Sequence, residues 1–178
     1  KGCNDAACPV ENIVELANGC ICCTVADDFL PTIEALLDRA DKPDHIIIET
    51  SGLALPKPLI KAFQWPSVRT RATVDAVIAM IDADAVTAGR FAPNEAALAA
   101  MRAEDPTLDH ETPLEELCEE QLGCADMVML NICDLLTAEQ IAAVEAIVTK
   151  DMRAGTGIVH ASGGAVDPTI LFGHAAAS

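Results

Sequence analysis

His45-Ile46-Ile47-Ile48-Glu49-Thr50, followed by Ser51-Gly52, sets three consecutive isoleucines between polar residues. A continuous β-branched run of this length predicts a strand buried on both faces, as in parallel sheets. Val74–Asp82 and Met127–Asn131 repeat the character, and Gly157–His160 is a shorter version of it. Helical patterns lie between. Phe29, Ile33, Leu36 and Leu37 recur at helical spacing behind Asp27 and Asp28, acidic residues that suit a helix start, and Asp41–Asp44 breaks that helix. Leu55–Phe63 predicts a second helix. Thr137–Lys150 carries Ile141, Val144, Ile147 and Val148 on one face, with Thr137 as N-cap. Strands alternating with helices predict an α/β fold, a mostly parallel sheet flanked by helices. Ile13–Leu16 and Cys20–Val25, joined through Asn18-Gly19, predict a hairpin near the start. Ala83–Cys124 breaks the alternation as a long helical insertion, whose Glu111, Glu115, Glu116, Glu119 and Glu120 read as a solvated face.

The 178 residues suit one domain, and 51% apolar content is enough for a sizeable core. Twenty-eight acidic residues against 11 basic ones leave a net charge of −17. That balance excludes nucleic acid and anionic membrane surfaces as expected partners, since both are held by clustered Lys and Arg. The longest apolar runs, such as Ala76–Ile81 and Ala96–Met101, fall far short of the ~20 residues of a spanning helix. Lys1–Pro9 is polar and lacks the apolar core of a signal peptide. The expected location is the cytoplasm, where eight cysteines read as thiols or metal ligands rather than disulfides.

In α/β sheets, ligands gather beyond the carboxyl ends of the strands. Four polar groups fall at such ends: Glu49-Thr50-Ser51-Gly52, Asp82, Asn131-Ile132-Cys133-Asp134 and His160-Ala161-Ser162-Gly163. Glu49 is a candidate ligand for a hard cation such as Mg²⁺, and Gly52 lets backbone approach a phosphate; the plainer alternative is a Glu that caps the next turn. Asn131 and Asp134 match the outer positions of the guanine-reading pattern N-K-x-D, in which the Asp accepts both N–H donors of the guanine edge. Ile132 stands at the Lys position and brings no ammonium, which predicts weaker binding. The alternative there is a loop Asn and a helix-capping Asp.

Cys20, Cys22 and Cys23 crowd into four positions. Two thiolates on one tetrahedral zinc lie roughly 3.8 Å apart, against ~6.7 Å for i and i+2 along a strand. The backbone must therefore bend, which Gly19 permits, and another group such as Glu15 or a residue outside the chain must complete the site. Such an incomplete, thiolate-rich site suits a metal that is handed on. A buried apolar cluster and a redox pair are the other readings. Cys118, Cys124 and Cys133 read as core or loop residues, and His45 as structural.

Taken together, Glu15-Leu16-Ala17-Asn18-Gly19-Cys20-Ile21-Cys22-Cys23, Glu49-Thr50-Ser51-Gly52-Leu53-Ala54 and Ala125-Asp126 through Asp134 resemble the C-x-C-C signature, the Walker B equivalent and the guanine-specificity segment of the CobW-type P-loop GTPases. Leu108–Leu117 with Gln121 is similar to the cobalamin-linked branch of that family. The resemblance implies a partial GTPase domain over residues 1–178, in which GTP and Mg²⁺ switch a metallochaperone site. It implies Co²⁺ or Zn²⁺ at Cys20, Cys22 and Cys23. Glu49, as the catalytic residue, and Gly52 would face Mg²⁺ and the terminal phosphate, and Asn131 and Asp134 would read guanine. The implied client is a metalloprotein or a cobaltochelatase. No G-x-x-x-x-G-K-[ST] phosphate loop occurs in the chain, so the loop and the family's C-terminal domain are expected to lie outside it. A nucleotide-independent metal-binding module, a degraded paralogue without GTPase activity and a thiol redox protein are the competing readings.

Overall fold

The computed structural model of the chain describes residues 13–14, 29–90, 96, 99–100, 103 and 113–173. Its elements run α1 (Leu30–Leu37), α2 (Pro56–Ala62), β1 (Ile78–Asp82), α3 (Ala83–Thr87), α4 (Leu114–Cys124), β2 (Met127–Asn131), α5 (Ala138–Val148) and β3 (Gly157–His160), with short 3-10 turns at Cys133–Leu135 and Pro168–Leu171. The strands form one parallel sheet in the order β1-β2-β3. β2 is central because it is the most apolar: Met127 to Leu130 are all buried. The register sets Asp82 beside Asn131, and Leu130 beside His160. The α/β architecture expected from the sequence is the observed one.

Ile81, Val128 and Leu130 of the sheet share a core with Leu122 of α4 and with Val144 and Val148 of α5. Each fully buried Val or Leu contributes ~1.5–3 kcal/mol relative to exposure. A second cluster joins α1 to α2 and the following turn through Phe29, Ile33, Leu37, Phe63 and Val68. Phe29 and Phe63 meet edge-to-face at 5.7 Å. In a third, Leu53 and Leu117 pack with Leu55 and Leu114, which ties the segment after Gly52 to α4.

Three expectations need correction. His45–Thr50 lies in no strand. An apolar run becomes a strand only when a neighbour accepts its hydrogen bonds, and no described segment pairs with this one. Ile46 and Ile48 pack against the α1–α2 cluster, while Ile47 is 80% exposed. The strand expected over Val74–Asp82 begins only at Ile78, and Met80 is 60% exposed, so one face is open rather than buried. Ile147 is exposed although Val144 and Val148 are buried, because it sits at the edge of the stripe those two define.

The other elements follow the sequence pattern. α2 starts at Pro56, whose fixed φ suits a first helical turn. Thr137 and Gln140 close a capping box at the start of α5: Gln140 N–H donates to Thr137 Oγ1 at 3.3 Å, and Thr137 N–H donates to Gln140 Oε1 at 2.8 Å. Within the expected insertion, α3 and α4 are helical, as are Ala96, Ala99, Ala100 and Ala103. Ile13 and Val14 belong to no regular element, and the rest of the expected hairpin lies outside the described residues.

Candidate functional site

Three of the four polar groups named at strand ends do lie at the carboxyl edge of the sheet, and the structure gives them different work. Asp82 caps α3, its Oδ1 accepting from Ala85 N–H at 2.9 Å. His160 Nε2 pairs with Glu145 Oε1 of α5 at 2.7 Å. Asn131 Oδ1 accepts from Gly164 N–H at 2.8 Å and so holds the Gly163-Gly164 turn against the end of β2. Both glycines have φ above +60° or at it, a conformation that glycine alone adopts without cost. Two more hydrogen bonds lock the same corner: Ala161 N–H to Leu130 O at 2.8 Å, and Cys133 N–H to Ala161 O at 3.1 Å.

Beyond Asn131 the chain turns sharply. Ile132 is the one non-glycine residue with positive φ (65°) among the described residues. A β-branched side chain in the left-handed region costs roughly 1–2 kcal/mol. The 3-10 turn Cys133–Leu135 follows and presents Asp134 exposed. Leu135 beside it is 71% exposed. No hydrogen bond or ion pair engages the Asp134 carboxylate among the described residues. The same holds for Glu49, which is exposed and whose oxygens suit a hard cation.

Gly52 follows Glu49 in a tight turn. Ala54 N–H donates to Ser51 O at 2.9 Å, and Leu53 N–H donates to Ser51 Oγ at 3.3 Å. A Cβ on Gly52 would meet no atom of the described residues within 4 Å, and its φ is not left-handed. Neither the backbone conformation nor packing by the described residues therefore requires glycine here. The segment is held from α4: Gln121 Nε2 donates to Gly52 O and to Ala54 O, each at 3.0 Å. No hydrogen bond or ion pair joins Glu49 or Gly52 to Asn131 or Asp134 among the described residues.

Cys20, Cys22, Cys23 and Glu15 lie outside the described residues. Among the described residues no group of three or more His, Cys, Asp and Glu converges on a point. Cys118, Cys124 and Cys133 are free and half-buried. Burial pushes the Cys118 and Cys124 thiols up, away from the thiolate that binds metal. Cys133 Sγ hydrogen-bonds to Leu130 O at 3.2 Å. His45 stacks on Phe172 with ring centroids 4.4 Å apart, a packing contact. No helix among the described residues is long and apolar enough to cross a membrane.

Asp126 has a part that its motif did not reveal. Its Oδ2 accepts from Val77 N–H at 2.8 Å, and its Oδ1 pairs with Arg153 Nη2 at 2.5 Å. Arg153 also donates to Ala125 O at 3.0 Å. One carboxylate thus fastens the chain entering β1, β2 and β3. Gln121 gave a fainter signal: it stands one turn after the buried Leu117, a polar amide on an otherwise apolar stripe.

Residues 4–160 match the family model described as CobW/HypB/UreG, nucleotide-binding domain. The chain belongs to this family. It is 52% identical over 173 residues to a zinc chaperone CobW from Sinorhizobium sp, covering 97% of this chain and 49% of the relative. It is 50% identical over 161 residues to a zinc chaperone CobW from Pseudomonas aeruginosa, with 90% and 43% covered. A zinc-regulated GTPase metalloprotein activator 1 from Dictyostelium discoideum is 27% identical over 145 residues, with 78% and 30% covered. The chain thus spans about half the length, or less, of these relatives. No solved structure matches it. Membership of a nucleotide-binding family agrees with the parallel sheet flanked by helices.

Proposed function

We propose that the full-length protein is a GTP-dependent metallochaperone in which a nucleotide switch governs a thiolate site at Cys20, Cys22 and Cys23 and passes its metal to a client metalloprotein. The turn after β2 carries this reading: Asn131 braces the neighbouring loop, Ile132 takes up strain, and Asp134 stands exposed with no described partner. A carboxylate so placed can accept both N–H donors of a guanine edge. Strained backbone of this kind is characteristic of ligand sites. Glu49 is the residue that would hold Mg²⁺, whose charge, when bound, offsets that of the phosphates. Gly52 is the point where backbone would approach the terminal phosphate. The phosphate loop itself belongs, on this reading, to a part of the protein outside these 178 residues.

Three thiolates suit Zn²⁺ or Co²⁺, and general affinity order favours Zn²⁺. The name zinc chaperone borne by the relatives at 52% and 50% identity supports the same choice. Delivery to a cobaltochelatase in cobalamin synthesis is the Co²⁺ branch of this proposal.

The test uses the full-length protein and competes it for Zn²⁺ against a chromophoric chelator, with and without Mg-GTP. Mg-GTP is expected to tighten the cysteine site at least tenfold. Unchanged affinity overturns the switch and leaves a nucleotide-independent metal-binding module, a reading that Ile132 at the Lys position also favours. Base recognition has its own check. Asp134→Asn is expected to move preference from guanosine to xanthosine triphosphate, because the xanthine C2 carbonyl accepts from an amide N–H. Equal loss of both would remove Asp134 from base reading.

A further inference from the structure

We propose that Gln121 is the positioning residue of the 51–54 loop, holding it in the shape that meets the terminal phosphate of a bound nucleoside triphosphate; the inference rests on the nucleotide reading above. The side-chain amide has two N–H donors, and the two carbonyls it faces, Gly52 O and Ala54 O, both lie 3.0 Å from Nε2. One planar group thereby fixes two peptide units of a four-residue turn. The turn is already closed from within by the Ser51 hydroxyl and carbonyl, so Gln121 governs its placement rather than its existence.

Two neighbours on α4 act at the same place. Leu117, one turn before Gln121, packs on the buried Leu53 between the two clamped carbonyls. Glu120, next to Gln121, pairs with Lys57 at 3.1 Å. With two of its carbonyls committed to α4, the loop has its Gly52 N–H in no hydrogen bond among the described residues, and no described atom lies within 4 Å of where a Gly52 Cβ would stand. An uncommitted N–H on a fixed peptide is a preorganised donor for an anion. A loop that meets only the terminal phosphate distinguishes a triphosphate from a diphosphate, whereas base contacts do not.

The experiment compares the full-length parent with Gln121→Met, which keeps the volume and removes the donor, and with Gln121→Glu, which sets a carboxylate against two carbonyls. Two quantities are read: affinity for GTP and for GDP with Mg²⁺, and amide exchange of Leu53 and Ala54 without nucleotide. Both variants are expected to lose at least tenfold in GTP affinity, to hold GDP within twofold, and to exchange the two loop amides at least tenfold faster, with α5 amides unchanged. An unchanged ratio of GTP to GDP affinity overturns the proposal, and so does an equal loss of both with a lowered melting temperature, the mark of a merely structural glutamine. A parent that binds neither nucleotide overturns the function reading instead, and the exchange rates then decide the clamp alone: unaltered rates reject it.

Discussion

Ile132 carries the clearest residue-scale tension among the described residues. Its φ of 65° is one that Asn tolerates and Ile does not. Ile132→Asn is expected to stabilise the fold by about 1 kcal/mol, read from urea unfolding; an unchanged midpoint would mean that the half-buried isoleucine side chain fully offsets its strain. Ile132→Lys keeps the strain and restores the ammonium of the guanine pattern, so nucleotide affinity of the full-length protein is expected to rise several-fold. Nothing local in the sequence signals this conformation, since a β-branched residue is the last expected in the left-handed region. The thiols yield a pH prediction. Burial holds Cys118 and Cys124 above the ordinary thiol range, so at neutral pH both are expected to react with iodoacetamide more slowly than a free thiol. Their rates should climb as pH passes beyond that range. The sign for stability follows: the raised values favour the folded state below the unfolded-chain pKa, and that contribution is lost as pH rises through the folded one. Rates equal to a model thiol at pH 7 would count against the burial.

At the element scale, caps and staples decide more than propensity does. The capping box of α5 was legible, because Thr137 and Gln140 stand at the required spacing before an apolar stripe. The Asp126 staple was not. Its partner Val77 lies 49 residues away in the chain, and no periodicity reports such a distance. Thr137→Ala is expected to cost about 1 kcal/mol, the usual loss of a cap. Asp126→Ala is expected to cost about 2 kcal/mol, since a half-buried carboxylate bonded to both an N–H and a guanidinium is removed and the Val77 donor is left without its acceptor. Chemical unfolding of the two variants checks the order, and an Asp126 loss below about 0.5 kcal/mol would place it among ordinary surface carboxylates. The failed expectation at His45–Thr50 belongs to this scale too. Three isoleucines define an apolar segment correctly, but a strand is a relation between two segments.

For the whole molecule, the sheet has a covered and an open region. Met80 of β1 and Met129 of β2 are register partners, yet Met80 is 60% exposed and Met129 only 3%. Met129→Lys is therefore expected to abolish folding, because an unpaired charge would be buried, whereas Met80→Lys should change stability by less than about 0.5 kcal/mol. Circular dichroism melts separate the two outcomes, and comparable damage from both would show Met80 to be covered in solution.

From residue order alone came the alternation of strand and helix, the acidic character, the cysteine cluster and the guanine-like segment, because period, composition and spacing are properties of neighbours in the chain. Only tertiary structure settled that Asp82 and His160 are spent on helix contacts while Glu49 and Asp134 stay without a described partner. It likewise placed Gln121 on carbonyls as far as 69 residues away. The physical reason is that a polar side chain's role depends on which donors and acceptors the fold brings within about 3 Å of it, and sequence separation does not encode that distance.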